Sequence, residues 1–154
     1  WSVVVELVGE ARLYAFDCEA GTVPVDHAEL VRDLARRAEG VLLVEAVSQV
    51  QDDDGGYVVR FVAGETLVRF EPQDLGDWYD VQAVVGAFNA ALERHGKRER
   101  YVLLHTGDQT CLVALVSEEP FRAAAAELRI PIEEDADAAR TAGVAFEEYV
   151  RSKL

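Results

Sequence analysis

The sequence is poor in the residues that most often carry catalysis or bind metals. Its 154 residues include two cysteines and three histidines, and methionine is absent. It has no Cys-x-x-Cys pair, no His-x-His pair and no His-Glu-x-x-His helix, so a zinc site has no visible ligand set. The eleven glycines form neither a GxGxxG pattern nor a P-loop that would hold a phosphate. We therefore predict no metal, no cofactor and no enzymatic activity.

Long apolar runs and a basic leader are also missing. No stretch approaches the roughly 18 apolar residues of a membrane span, and residues 1–7 contain no Lys or Arg and no cleavage site. Cys18 and Cys111 lie far apart in the sequence and make no disulfide framework, so we expect two reduced, buried side chains. These features predict a cytoplasmic protein. Because the sequence starts at Trp1 and contains no Met, we expect its native start to lie further upstream.

Positive charge is scarce. The chain has 15 Lys and Arg against 29 Asp and Glu, a formal net charge of -14. A surface of that sign repels nucleic acid and anionic membranes, and it speeds association with basic proteins. General solubility or adaptation to a salty cytoplasm would produce the same composition, so both interpretations stay open. The basic residues concentrate at residues 94–100, which we interpret as a helix end and a solvated loop, with an anion or acidic-partner contact as the alternative.

Three pairs of Gly followed by an acid predict β-hairpins, because Gly at the first central position suits a two-residue turn. Around the second turn, Val59 and Phe61 share a core-facing side with Val68 and Phe70. The first and third hairpins are almost continuously apolar, as is typical of central strands covered on both faces. The turns are Gly9-Glu10, Gly64-Glu65 and Gly107-Asp108, and the first and third hairpins span residues 3–16 and 101–116.

Caps and periodic apolar residues predict four helices. Asp26 caps the first, and Asp77 or Asp80 caps the second, which has the strongest apolar stripe with Phe88 at its middle. We interpret Asn89, at the edge of that stripe, as a solvated or capped amide, with a hydrogen bond to the adjoining loop as the alternative. The helices span about residues 26–39, 81–95, 117–128 and 135 onward, the last with Ala139, Ala142, Phe146, Tyr149 and Val150 as its apolar positions.

The predicted order of elements is ββ-α-βββ-α-ββ-α-α. We therefore expect a single α+β domain over residues 1–154, in which helices pack on one face of a largely antiparallel sheet built from hairpins. The hydrophobic content of 50% is sufficient for one core.

Two arrangements resemble chemical sites. His105 and Cys111 would make a nucleophilic pair only if they met, and pairing about Gly107-Asp108 sets His105 opposite Thr110, so we expect the two side chains on opposite faces. A three-residue loop would instead bring them together. Residues 52–56 look like part of a calcium loop, but the remaining ligand pattern is incomplete, and we predict a solvated hairpin turn.

Parts of the chain resemble two families. The segments FNAAL (88–92), YVLL (101–104), GDQT (107–110) and SEEPF (117–121) are similar to the C-terminal half of small acidic immunity proteins found beside bacterial polymorphic toxins. Without its first hairpin, the predicted order α-βββ-α-ββ-α is similar to that of type III secretion chaperones and YbjN-like proteins. The first resemblance implies an inhibitor of a toxin domain. The second implies an adaptor that binds a segment of another protein and would favour a homodimer.

We accordingly predict a non-enzymatic, protein-binding protein, most simply an immunity-type inhibitor that captures a basic toxin domain. Chaperone-like binding of another protein's segment is the alternative. The expected partner is a basic protein, and neither nucleic acid nor a membrane. The predicted contact residues are Asp52, Asp53, Asp54, Asp74, Asp77 and Asp80.

Overall fold

The chain folds into helices and antiparallel sheets, and the computed structural model describes residues 2–134, 141, 144–145 and 149–153. The α+β class is confirmed, and from residue 13 to 128 the order of elements is the predicted one. The last predicted helix falls largely outside the described residues. The helices of the described part are α1 (Ser2–Val8), α2 (His27–Arg37), α3 (Val81–Arg94) and α4 (Glu118–Leu128), and its strands are β1 (Leu13–Asp17), β2 (Val44–Gln51), β3 (Tyr57–Ala63), β4 (Thr66–Phe70), β5 (Glu99–Leu104) and β6 (Thr110–Ser117).

The strands form two three-stranded antiparallel sheets instead of one. Sheet I has the order β1-β6-β5, and sheet II has the order β2-β3-β4. Helices α2 and α3 pack in a core shared by both sheets, whereas α1 and α4 cover the opposite face of sheet I. Helices thus lie on both faces of sheet I, unlike the predicted one-sided cover. The reason is strand β6, whose residues 112–116 are all buried and so need cover on both sides.

The prediction of a first hairpin is wrong, because its first strand is helix α1. Val4 is buried against sheet I, and Val5 and Val8 pack on the same cluster, which is a helical spacing. Gly9 adopts a left-handed φ of 85° and donates its N–H to the Val5 carbonyl at 2.8 Å. It therefore ends a helix. A run of apolar residues this short fits helix and strand equally well.

The second hairpin is confirmed in its turn, register and faces. Ala63 pairs with Thr66, which leaves Gly64-Glu65 as a two-residue turn. Phe61 is fully buried, and Val68, which pairs with it, packs against the same core. Gly64 has a φ of 57°, a conformation that an L side chain rarely adopts. The turn therefore fixes the register, and the register fixes which face enters the core.

The third hairpin is shifted by one residue from the predicted pairing. Leu104 pairs with Leu112, and continuing that register sets His105 across from Cys111. The loop therefore has an odd number of residues. The Asp108 side chain accepts the Thr110 N–H at 2.8 Å, and the Thr106 hydroxyl donates to the Thr110 carbonyl at 2.5 Å. These side-chain bonds stabilise a wider loop than the two-residue turn expected from Gly107-Asp108.

Because neighbouring strands in both sheets are antiparallel, the loops lie at two ends of the molecule. Residues 18–26, 71–80 and 105–109 meet at one end, where the Tyr79 N–H donates to the Cys18 carbonyl at 2.9 Å. The turn 52–56 lies at the same end of sheet II as residue 71, since Val59 pairs with Phe70. The opposite end holds residues 38–43, Gly64-Glu65 and 95–98, with the Gly64 N–H bonded to the Leu43 carbonyl at 2.9 Å.

Candidate functional site

Charge is segregated between these two ends. We call residues 17–29, 52–56, 71–80 and 105–110 the acidic end, because these segments contain acids but no Lys or Arg. The basic segment, residues 94–100, lies at the opposite end, where the Arg100 guanidinium donates to the Lys97 and Glu99 carbonyls. The acids of the acidic end are Asp17, Glu19, Asp26, Glu29, Asp52, Asp53, Asp54, Glu71, Asp74, Asp77, Asp80 and Asp108.

Backbone hydrogen bonds tie much of the acidic end into one surface. The Ala20 N–H donates to the Asp77 carbonyl at 2.7 Å, and the Cys18 N–H donates to the Gln109 carbonyl at 3.0 Å. Glu19 and Trp78 form an isolated antiparallel bridge. Three connections that are distant in sequence therefore lie side by side, and their acids add to one local field.

The acids predicted in the β2–β3 turn lie at the tip of that turn. The Asp52 carboxylate accepts the N–H groups of Asp54 at 3.1 Å and Gly56 at 2.7 Å, which stabilises the turn. Asp53 and Asp54 are exposed. Among the residues that the structure describes, no group of three or more His, Cys, Asp or Glu side chains is placed to hold a metal ion. The expected hairpin turn is therefore present, with its carboxylates directed partly to its own backbone.

The predicted acids of the β4–α3 connection divide into two kinds. Asp74 is exposed and Asp77 is half-buried. Asp80 is only 7% exposed, and its carboxylate accepts the N–H groups of Gln73 at 2.9 Å and Ala83 at 3.0 Å. Asp80 is therefore the N-cap of α3 and not part of an exposed contact face. The prediction of Asp80 as a cap is confirmed, and its role as a partner contact stays a prediction.

His27 is buried beside Asp80 at the start of α2. The ring Nε2 accepts the Asp80 N–H at 3.0 Å, and the backbone N–H of His27 donates to the Gln49 Oε1 at 2.9 Å. Burial lowers the pKa of His27, against an opposing effect of the Asp80 carboxylate. The neutral ring therefore connects the N-termini of α2 and α3 and positions the connection that carries Asp74 and Asp77.

A cavity of about 190 Å³ opens at the acidic end between three connections. Its apolar and aromatic lining includes Leu75, Trp78, Tyr79 and Val81, and its acidic lining is Asp80, Asp108 and Glu133. Of the described residues, none that lines it is Lys or Arg. Sequence reasoning missed this cavity. The available signal was the run of residues 77–80, where two adjacent aromatic residues lie between acids in a connection.

Cys18 and Cys111 form a disulfide in the wall of this cavity, so the prediction of two reduced cysteines is wrong. Their Cα atoms are 5.7 Å apart, within the usual range for a disulfide. The cause is the pairing of β1 with β6, in which Phe16 lies opposite Cys111 and Cys18 follows two residues on. In the disulfide, Cys111 has no thiolate, and the odd loop that brings His105 near it does not create a nucleophilic pair.

Two polar features lie at the rim of the cavity. The His105 Nδ1 lies 2.6 Å from the Glu133 Oε2. Asp108 is exposed, and the Thr110 N–H lowers the pKa of its carboxyl. The Asp108 carboxylate is thus held in its ionised form at the mouth of an otherwise largely apolar cavity.

Together these features describe an α+β protein with an acidic end and a small aromatic-lined cavity. The chain matches no protein-family model, no curated protein and no solved structure. In the described part of the chain, no helix has both the length and the apolar character needed to cross a bilayer.

Proposed function

We infer that this chain is a non-enzymatic protein-binding protein whose acidic end captures a basic partner domain, as an immunity-type inhibitor captures a toxin. The observation that carries this proposal is the segregation of charge, because acids from separate connections collect at one end whose own segments contain no Lys or Arg. Arg32 and Arg69, from the adjoining α2 and β4, pair with Asp26 at 3.8 Å and with Glu71 at 2.8 Å, and the acids of these segments still outnumber them. Complementary potentials of this kind speed diffusional encounter and select against partners of the wrong sign. The Cys18–Cys111 bond supports a non-enzymatic role, since neither cysteine then has a free thiol that could act as a nucleophile.

The chaperone-like alternative has one observation in its favour. From α2 to α4 the elements follow the order α-βββ-α-ββ-α that motivated it. A partner's segment would need an exposed apolar surface, and the apolar stripe of α3 does not offer one. Val84, Phe88 and Leu92 on that stripe are all fully buried in the protein's own core. We therefore rank capture at the acidic end first. The homodimer that the alternative would favour stays a prediction.

The disulfide also bears on the compartment in which this function operates. Disulfides persist in oxidising compartments and are rare in the cytosol. The Cys18–Cys111 bond therefore argues against the cytoplasmic location expected from the sequence and favours an oxidising one. A periplasmic or extracytoplasmic inhibitor would meet its toxin outside the cytosol.

The test is the association rate with the C-terminal domain of a toxin encoded by a neighbouring gene, followed by stopped-flow fluorescence at several salt concentrations. Neighbouring genes that encode no toxin would overturn the proposal. We expect the rate to fall about tenfold or more between low and high salt, because exposed charges are screened beyond about 8 Å at physiological ionic strength. A rate that does not change with salt, or a neighbouring toxin domain that neither binds nor loses toxicity, overturns the proposal.

Matched charge variants locate the contact. The triple variant Asp53→Asn, Asp54→Asn and Asp74→Asn removes three exposed carboxylates from the acidic end. The control Glu39→Gln, Glu65→Gln and Glu119→Gln removes three exposed carboxylates elsewhere and changes the net charge equally. We expect the first variant to slow association severalfold more than the control. Equal slowing would assign the effect to net charge and place the contact elsewhere.

A further inference from the structure

The cavity at the acidic end has the size of a site for one side chain. Its volume of about 190 Å³ is below the roughly 300–1,000 Å³ of typical small-molecule sites. An apolar protein cavity of about 150 Å³ is nevertheless large enough to hold benzene. A planar group with a short aliphatic stem, projecting from a partner protein, matches this space better than a cofactor does.

The lining combines apolar surface with negative charge. Trp78, Tyr79 and Leu75 offer the apolar and aromatic part, and Asp80 and Asp108 offer carboxylates. Within the described residues, neither of these two carboxylates forms an ion pair with Lys or Arg. Across the part of the chain that the structure describes, Asp80 is held by backbone N–H groups, and Asp108 by the Thr110 N–H and the hydroxyls of Thr106 and Thr110, all of which are neutral. The two carboxylates therefore keep a net negative charge in the lining, which is complementary to a cation.

We propose that this cavity binds an arginine side chain of the basic partner. The proposal rests on the proposed function, because that function supplies a basic partner at the acidic end. Arginine fits better than lysine, since the guanidinium is planar, weakly hydrated and able to stack on aromatic rings. Arginine is also enriched among the few residues that dominate the affinity of protein interfaces.

The experiment uses three small probes on the full chain: N-acetyl-argininamide, N-acetyl-citrullinamide, which is its neutral isostere, and N-acetyl-lysinamide, which has the same charge on a non-planar group. Binding is followed by ¹H–¹⁵N NMR, with the Trp78 indole and the backbone amides of residues 75–82 and 105–112 as reporters. We expect argininamide to shift these signals with a dissociation constant on the order of 1 mM, as suits a probe of its size. Citrullinamide should leave them in place, and lysinamide should bind more weakly.

Two charge variants separate the cavity from the general field. Asp108→Asn keeps the acceptor for the Thr110 N–H and removes the charge, and it should weaken argininamide binding about three- to fivefold. Asp53→Asn removes an exposed acid that does not line the cavity, and it should have no effect. An unchanged affinity in Asp108→Asn, or equal weakening in both variants, overturns the proposal.

The proposal of an arginine site would also be overturned if citrullinamide or lysinamide bound as tightly as argininamide. The same holds if argininamide shifted only signals from other parts of the chain. This failure is distinguishable from failure of the proposed function. If argininamide leaves the cavity signals unmoved while the toxin domain still associates in a salt-dependent way, only the arginine site is wrong. If the toxin domain does not associate but argininamide binds, the cavity is a cation site and the immunity function is wrong.

Discussion

Asn89 and Tyr101 are joined by two hydrogen bonds at the outer edge of sheet I. The Asn89 Nδ2 donates to the Tyr101 carbonyl at 2.9 Å, and the Tyr101 N–H donates to the Asn89 Oδ1 at 2.7 Å. Strand β5 is the outer strand of the order β1-β6-β5, so these backbone groups have no neighbouring strand. The side-chain amide of Asn89, on α3, makes the hydrogen bonds that a further strand would make at this position. It therefore protects an edge that could otherwise pair with another chain. The interpretation of Asn89 as a solvated or capped amide is therefore wrong, and the alternative is nearer to the structure, with strand β5 instead of the adjoining loop as the hydrogen-bond partner.

We therefore predict that Asn89→Ala destabilises the domain by about 1–3 kcal/mol, because it leaves a donor and an acceptor of a half-buried strand unsatisfied. Urea unfolding gives the free energy, and hydrogen exchange at the Tyr101 amide should accelerate in the same variant. Gln82→Ala, an exposed amide on the same helix, is the control and should change stability by less than about 0.5 kcal/mol. Equal effects of the two substitutions would remove the edge role from Asn89.

Phe88 is the centre of the packing between α3 and both sheets. Its ring stacks on Phe61 at 5.1 Å between centroids and meets Tyr101 edge-on at 5.3 Å. Because it is fully buried, Phe88→Ala should cost about 3–5 kcal/mol in the free energy of unfolding. Leu67→Ala, at a side chain 65% exposed on β4, should leave the thermal midpoint close to that of the parent. A Phe88→Ala variant that melts like the parent would mean that α3 is peripheral.

Sequence reasoning succeeded where a local signal determines the structure. The caps Asp26 and Asp80 are local, since each side chain bonds an N–H two or three residues ahead. The Gly64-Glu65 turn is local in the same sense, and a two-residue turn fixes the register of the strands it joins. The apolar residues of α3 lie on one face of the helix, and that face is the one that packs in the core. These features placed α2, α3 and sheet II close to their observed bounds.

Prediction from the sequence failed where contacts between distant parts of the chain decide the structure. The 93-residue separation of Cys18 and Cys111 hides a contact that only the pairing of β1 with β6 creates. Residues 2–8 are too short for periodicity to distinguish helix from strand, and packing against sheet I decides the outcome. The acids of the candidate site could be named from composition. Their collection at one end, and the cavity between them, follow from strand order and could not be predicted.

The disulfide is expected to contribute substantially to stability. In the chain-entropy account a bond that closes a loop of this length constrains the unfolded chain, and removal of a native disulfide typically costs about 2–5 kcal/mol. Urea unfolding with and without dithiothreitol should show a loss within that range. A Cys18→Ala, Cys111→Ala double variant should be similarly less stable and should not respond further to the reductant. A reductant effect that persists in the double variant would exclude the disulfide as its cause.

Loss of stability at mildly acidic pH is expected from His27. Burial lowers the pKa of this ring below its ordinary value of 6.5, so in the pH range just below 6.5 the unfolded chain binds a proton that the folded chain resists. Stability rises with pH wherever the unfolded state binds more protons than the folded state. The stability that the neutral His27 ring contributes is therefore fully present above pH 6.5, and it is lost as the pH falls from 6.5 towards the lowered pKa. His27→Gln removes the titrating group, and the free energy of unfolding from urea titrations should then fall less steeply between about pH 7 and 5 than in the parent. An equal slope in the two proteins, or an NMR titration of the His27 ring with a midpoint at or above 6.5, would contradict the assignment of this pH dependence to burial of the His27 ring.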